Sequence, residues 1–250
     1  MSMLKVVLCA LLGLGGAALA VAEELRFSLV RTAQTESQAD YAWRNGGWQQ
    51  LPPVDHVALL IEHRGVRLLF GTGLGRRIDA QWDAVMPWRT KRYGQVQAVR
   101  DQLERDDLHV DRILLGCPRW DHASGLADYP ELPVLASLES LHYLQAATPP
   151  AVLPSQFGHR VNWQPLQFDG GPYQGYARSA DLFGDGRMVL VPLPERGALG
   201  LFLTLDDGRR FFFRGDALGQ PRSANAQPRN MRMRAARSPA SIAFYPAWVQ

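Results

Sequence analysis

Between Ile113 and His122 the chain reads Ile-Leu-Leu-Gly-Cys-Pro-Arg-Trp-Asp-His, an apolar run followed at once by a thiol, a guanidinium, a carboxylate and an imidazole. A cysteine thiolate is both a nucleophile and a metal ligand. With His122 as base, Cys117 could begin acyl transfer, although the sequence identifies no third residue to orient that base. A single cysteine is more often a small buried hydrophobe, and His122 can equally hydrogen-bond within a core. Further on, Arg214-Gly215-Asp216 closes another apolar run, where Asp216 could serve as a loop cap after its strand.

The elements that must position these groups follow from apolar spacing. Leu25 to Thr32 alternates as a strand, and a polar stretch rich in Gln, Asn and Gly follows it. Val57 to Glu62 and Val66 to Phe70 are apolar runs joined by His63-Arg64-Gly65, the pattern of a hairpin. The second run ends in Gly71-Thr72-Gly73, which lets backbone come close to another segment. From Gly94 to Asp106, Val96, Val99 and Leu103 recur at helical spacing. Ile113 to Leu115 and Val134 to Ala136 read as short buried strands, and Ser137 can cap a helix carrying Leu138, Leu141 and Leu144. In the later half Met188 to Leu193, Leu199 to Leu205 and Arg210 to Phe213 are strands, the last two joined by the hairpin signal Asp206-Asp207-Gly208. Strands with helices between them predict a layered α/β domain with two sheets.

Leu114 to Leu126, LLGCPRWDHASGL, resembles the metal-binding loop of the metallo-β-lactamase superfamily, where a buried strand ends in a His-x-His-x-Asp-His run. In that family the run holds two metals, each of which polarises a water into a nucleophilic hydroxide. Laid on this chain, it falls on Cys117, Arg119, Asp121 and His122. Asp128-Tyr129-Pro130 is similar to the family's Asp-Phe-Pro, and Pro192 to Gly197 sits where a Pro-Gly-His-Thr run places a third histidine, here Arg196. Arg214-Gly215-Asp216 matches the Gly-Asp whose carboxylate bridges the metals, and Tyr245-Pro246-Ala247-Trp248 puts Trp248 where the family has its last histidine.

The resemblance implies an α/β fold, the four-layer αββα metallo-β-lactamase-type sandwich, over a single domain spanning residues 23–250. It also implies that only Asp121, His122 and Asp216 keep the family's ligands. Arginine stays protonated in proteins and donates no lone pair to zinc. Arg119 and Arg196 are therefore expected to replace the metals' charge beside Asp121 and Asp216. The leading expectation is no metal cofactor, lost hydrolysis, and a small-molecule partner in the old cleft. The alternative is an active hydrolase of a lactone, ester or thioester with one zinc on Asp121, His122, Asp216 and Cys117, with Asp121 catalytic. His56, His63, His109, His142 and His159 match no ligand position and are read as structural or surface residues.

Across the 250 residues, 46% are hydrophobic and 20% charged, the balance of a globular protein with a sizeable core. Residues 1–22 read as a signal peptide: Lys5, an apolar run from Val6 to Ala20, and Ala20-Val21-Ala22 as a cleavage site. Export to the periplasm or beyond is the expectation, with an uncleaved anchor as the alternative. Cleavage leaves Cys117 as the single cysteine, so no internal disulfide forms. The net charge of +3 names no partner, but its distribution is uneven. From Ala217 onward there is no Asp or Glu, and Arg222, Arg229, Arg232, Arg234 and Arg237 stand among Pro, Ser, Asn and Gln. This basic, loop-rich segment, about 217–240, could contact an anionic surface, giving a third class of function, an interaction protein. Aromatics are absent between Arg222 and Arg237, so nucleic acid is not an expected partner.

Overall fold

The computed structural model describes residues 24–34, 41–44, 47–50, 55–91, 93–195 and 197–218. The proposed signal segment, Arg196, Trp248 and nearly all of the basic segment lie outside them. Among the described residues no helix is long and apolar enough to cross a membrane.

The larger sheet has six strands in the order β1 (Arg26–Gln34), β4 (Asp55–His63), β5 (Val66–Phe70), β6 (Arg112–Leu114), β7 (Pro133–Ala136) and β8 (Asn162–Pro165). Its first three strands are antiparallel, and β5 to β8 run parallel. A second sheet orders β12 (Arg210–Arg214), β11 (Leu199–Thr204), β10 (Met188–Pro192) and β9 (Ala180–Asp181), and β2 (Tyr41–Arg44) with β3 (Gly47–Gln50) forms a separate hairpin. The helices are α1 (Ile78–Asp83), α2 (Val99–Arg105), α3 (Trp120–Ala123) and α4 (Leu138–Ala146).

Side-chain alternation explains the layers. Phe27, Leu59, Ile61, Leu68, Phe70 and Leu114 leave one face of the large sheet and meet Leu190, Leu199, Leu201, Leu203 and Phe213 of the second. Leu60, Leu69 and Ile113 leave the opposite face and pack with Val99 and Leu103 of α2 and with Leu141 and Leu144 of α4. On the far side of the second sheet, Phe202 and Phe212 carry Tyr173 and Tyr176 from the loop before β9. The mixed α/β sandwich is thus the one the sequence predicts, and the described residues supply three of its four layers.

Differences from the sequence reading are local. The helix expected from Gly94 starts only at Val99, because Gly94 and Gln97 donate their amides to the Gln34 and Thr32 carbonyls of β1 (2.9 and 2.7 Å). In the first hairpin His63 belongs to the strand, and the turn is Arg64-Gly65, both at positive φ. Two such residues give the turn whose twist matches the flanking strands.

Candidate functional site

The parallel strands bring three loops to one edge of the large sheet, those after β5, β6 and β7, and crevices beyond the carboxyl ends of parallel strands are where α/β folds bind ligands. The loop after β6 is fixed first by glycine. Gly116 gives its carbonyl to the Leu199 amide (2.8 Å), and the Leu199 carbonyl takes the Gly215 amide (2.8 Å). A Cβ on Gly215 would lie 2.0 Å from the Gly116 oxygen, and one on Gly116 would lie 2.7 Å from the Phe70 ring. Both positions need glycine for the two sheets to touch, and that contact brings Asp216 beside the segment from Cys117 to His122.

Past Pro118 the chain turns into α3, where the Arg119 carbonyl accepts from the His122 and Ala123 amides (3.0 Å each). The His122 carbonyl is held by the Thr72 amide and hydroxyl (2.8 and 2.9 Å), so the Gly71-Thr72-Gly73 loop meets the segment that its glycines allow it to approach. Gln156 donates to the Trp120 carbonyl (2.9 Å), and the Trp120 amide reaches the Ala151 carbonyl (3.1 Å).

On this frame the side chains pair off. Arg119 holds Asp121 through both carboxylate oxygens, Nε to Oδ1 at 3.0 Å and Nη2 to Oδ2 at 2.6 Å. Its Nη1 donates to the Asp216 carbonyl at 3.3 Å. Asp216 has its own fork: Arg214 Nε and Nη2 reach its two oxygens at 3.1 and 3.0 Å, and the same Nη2 lies 3.0 Å from Glu195. Among the described residues the guanidinium on the Asp216 carboxylate is Arg214, two residues away at the same strand end; Arg196 lies outside the described residues. His122 lies 3.6 Å from Asp121, and both of its ring nitrogens are buried without a hydrogen bond. His56, at the start of β4, places Nδ1 4.0 Å from Asp121 and its ring 5.6 Å from Trp120.

Burial sets the protonation states. Asp121 is 5% exposed, and burial alone would raise its pKa; His122 and the Arg119 guanidinium bring it below the usual carboxylate range instead. Burial drives both His56 and His122 below the ordinary histidine value, against the pull of Asp121, so both are neutral at pH 7. Burial pushes the Cys117 thiol up to about 12. With no metal bound, the group at neutral pH is therefore the thiol and not the nucleophilic thiolate.

Among the described residues the donors, as they stand, are engaged elsewhere. Both oxygens of Asp121 and both of Asp216 are occupied by guanidinium forks, Cys117 is a thiol, and Arg119 is a fixed cation at a ligand position. Among the described residues no three or more His, Cys, Asp or Glu side chains are grouped to hold a metal ion. What the arrangement can do is present Arg119's remaining N–H donors beside two neutral imidazoles.

Sequence reasoning thus found Cys117, Arg119, Asp121, His122 and Asp216, and the fold brings them to one edge. It missed His56 and Arg214. For Arg214 the signal was present, because Arg-x-Asp occurs at both 119–121 and 214–216. For His56 there was none, since its approach to Asp121 is a tertiary contact across 65 residues.

The chain has the metallo-β-lactamase-type fold. Superposed on an N-acyl homoserine lactone hydrolase with the product N-hexanoyl-L-homoserine at its catalytic metal centre, it gives a TM-score of 0.54 at 13% identity, over 76% of this chain and 74% of the other. A B. thuringiensis AiiA variant with N-decanoyl-L-homoserine at its active site gives 0.55 at 13% identity over the same shares. A quorum-quenching N-acyl homoserine lactone lactonase gives 0.50 at 14%, over 76% and 72%. No protein-family model matches the sequence, and no curated protein matches it.

Proposed function

We propose that this chain is a hydrolase-like protein that has exchanged the fold's metal chemistry for an internal guanidinium and binds a small molecule at the former catalytic edge. One observation carries the reading: Arg119, at a position where the family places a metal-binding histidine, clamps Asp121 with two hydrogen bonds and reaches the Asp216 carbonyl with a third. A guanidinium cannot coordinate and activate a water as a metal does, and the two neutral histidines are the proton acceptors left. Loss of hydrolysis follows. The sequence adds export and a role for residues 217–240 at an anionic surface to the same proposal.

The mononuclear-zinc reading keeps one supporting observation, the buried His122 ring with neither nitrogen bonded. Elemental mass spectrometry after incubation with zinc and desalting separates the two. Essentially no retained zinc is expected. One tightly held zinc per chain, lost on Asp121→Ala or His122→Ala, would overturn the guanidinium reading, and lactone and ester hydrolysis would then be assayed.

A further inference from the structure

Beyond the candidate site, the described residues hold two exposed large hydrophobic side chains: Leu138, 50% exposed, and Trp88, 81% exposed. Trp88 does not sit on a loose loop. The Met86 amide bonds the Trp82 carbonyl (2.7 Å), the Arg89 amide bonds the Met86 carbonyl (3.0 Å), and the Trp82 indole donates to the Arg89 carbonyl (2.9 Å). The Met86 side chain is anchored in a core cluster with Ile78, Trp82 and Tyr93. The turn is therefore organised in advance to hold an indole in solvent, and little ordering cost remains when that ring finds a partner.

The apolar surface is wider than one ring. Ala80 and Ala84 are exposed one turn apart along α1, and exposed Pro87 and Trp88 follow from its C-terminal end. Exposed cations flank this strip. Arg77 precedes α1 and Arg89 follows Trp88, and neither forms an ion pair among the described residues. Lys91 takes up Asp79 and Asp83 (3.2 and 3.0 Å), the acidic side chains of α1. An indole between apolar small residues and unpaired guanidinium groups matches the boundary between acyl chains and anionic headgroups. Tryptophan is enriched at that depth, and nearby Lys or Arg contributes about 1 kcal/mol each.

The geometry points to residues 77–91 as a docking face for an anionic lipid bilayer, with Trp88 as the inserting side chain. The buried side of the same helix backs onto the candidate site, because Trp82 and Tyr93 pack on Trp120 (ring centroids 5.2 and 6.0 Å), next to Arg119.

The test uses the full chain with phosphatidylcholine vesicles, with or without phosphatidylglycerol, and with acyl chains brominated or not. The emission difference between wild type and Trp88→Phe isolates this ring from the other tryptophans. Quenching of that difference by brominated anionic vesicles, weakened by salt, is expected. Arg77→Ala and Arg89→Ala should each lower partitioning about fivefold. An unquenched difference on vesicles that sediment the protein would overturn the proposal, and so would partitioning unchanged in both arginine variants. Binding that instead requires Arg222 to Arg237, with Trp88 unquenched, would assign the contact to the basic segment and overturn this face. None of these outcomes depends on whether the neighbouring site binds zinc.

Discussion

At the scale of single residues, Arg119 determines what the buried carboxylate costs. Asp121 is almost fully enclosed, and a lone carboxylate there would be severely penalised. The fork from Arg119 offsets that penalty with two charge-assisted hydrogen bonds. Arg119→Ala is therefore expected to lower unfolding free energy by about 3–5 kcal/mol in urea titrations. Adding Asp121→Asn should recover part of that loss, because the stranded charge goes with it; no recovery would mean the pair is not coupled. The histidines set a pH dependence whose sign is fixed. His56 and His122 have folded pKa values below the ordinary histidine value of about 6.5, so the unfolded chain binds more protons as pH falls. Their contribution is complete above pH 6.5 and is lost as pH falls through their folded values. Asp121, depressed below the ordinary aspartate value, extends the decline into stronger acid. Urea midpoints should fall from pH 7 to 5 in wild type and fall less steeply in His56→Gln.

At the scale of elements, the site exists because two strand ends are stripped of side chains where they meet. Gly215→Ala would drive a methyl group into the Gly116 carbonyl, a rigid backbone atom, and neither chain can yield alone. A cost of about 3 kcal/mol is expected in the melting curve. An unchanged melting curve would show that the sheets part there without penalty. These elements also show what the sequence could reveal. The Val57–Phe70 hairpin, the buried strand at Ile113 and the capped helix after Ser137 were legible, since each is specified by neighbouring residues: apolar alternation, a turn, a Ser137 oxygen accepting from the Ser140 amide (3.0 Å). The short helix α1 was not, because its buried Ile78, Gln81 and Trp82 are anchored by distant partners, among them Ser124 and Trp120. The approach of His56 to Asp121 was hidden in the same way, since only the tertiary fold brings the two together.

At the scale of the whole molecule, β4 meets the site at one end and the second sheet at the other. His56, at its start, faces the site, while His63, at its far end, is paired with Asp185 from the loop before β10 at 2.7 Å. Arg64 reaches the same carboxylate at 3.1 Å, and the ring of Phe183 packs edge-on against His63. Asp185→Asn is expected to cost about 1–3 kcal/mol, since it weakens the acceptor of a buried imidazole. Native-state hydrogen exchange should show β10 losing protection first in that variant; uniform loss across both sheets would argue against a local clasp. The touching glycines at the opposite edge, 116 and 215, also carry a consequence for biogenesis. They are separated by almost a hundred residues, so a nascent chain that has already emerged through β8 can pair the large sheet yet has nothing to close it. Until β10 to β12 leave the ribosome, the Phe70 and Leu114 face lies open. Completion of this protein is thus a late event in its synthesis, and the interval before it is when the chain is most exposed to aggregation or to capture by a chaperone.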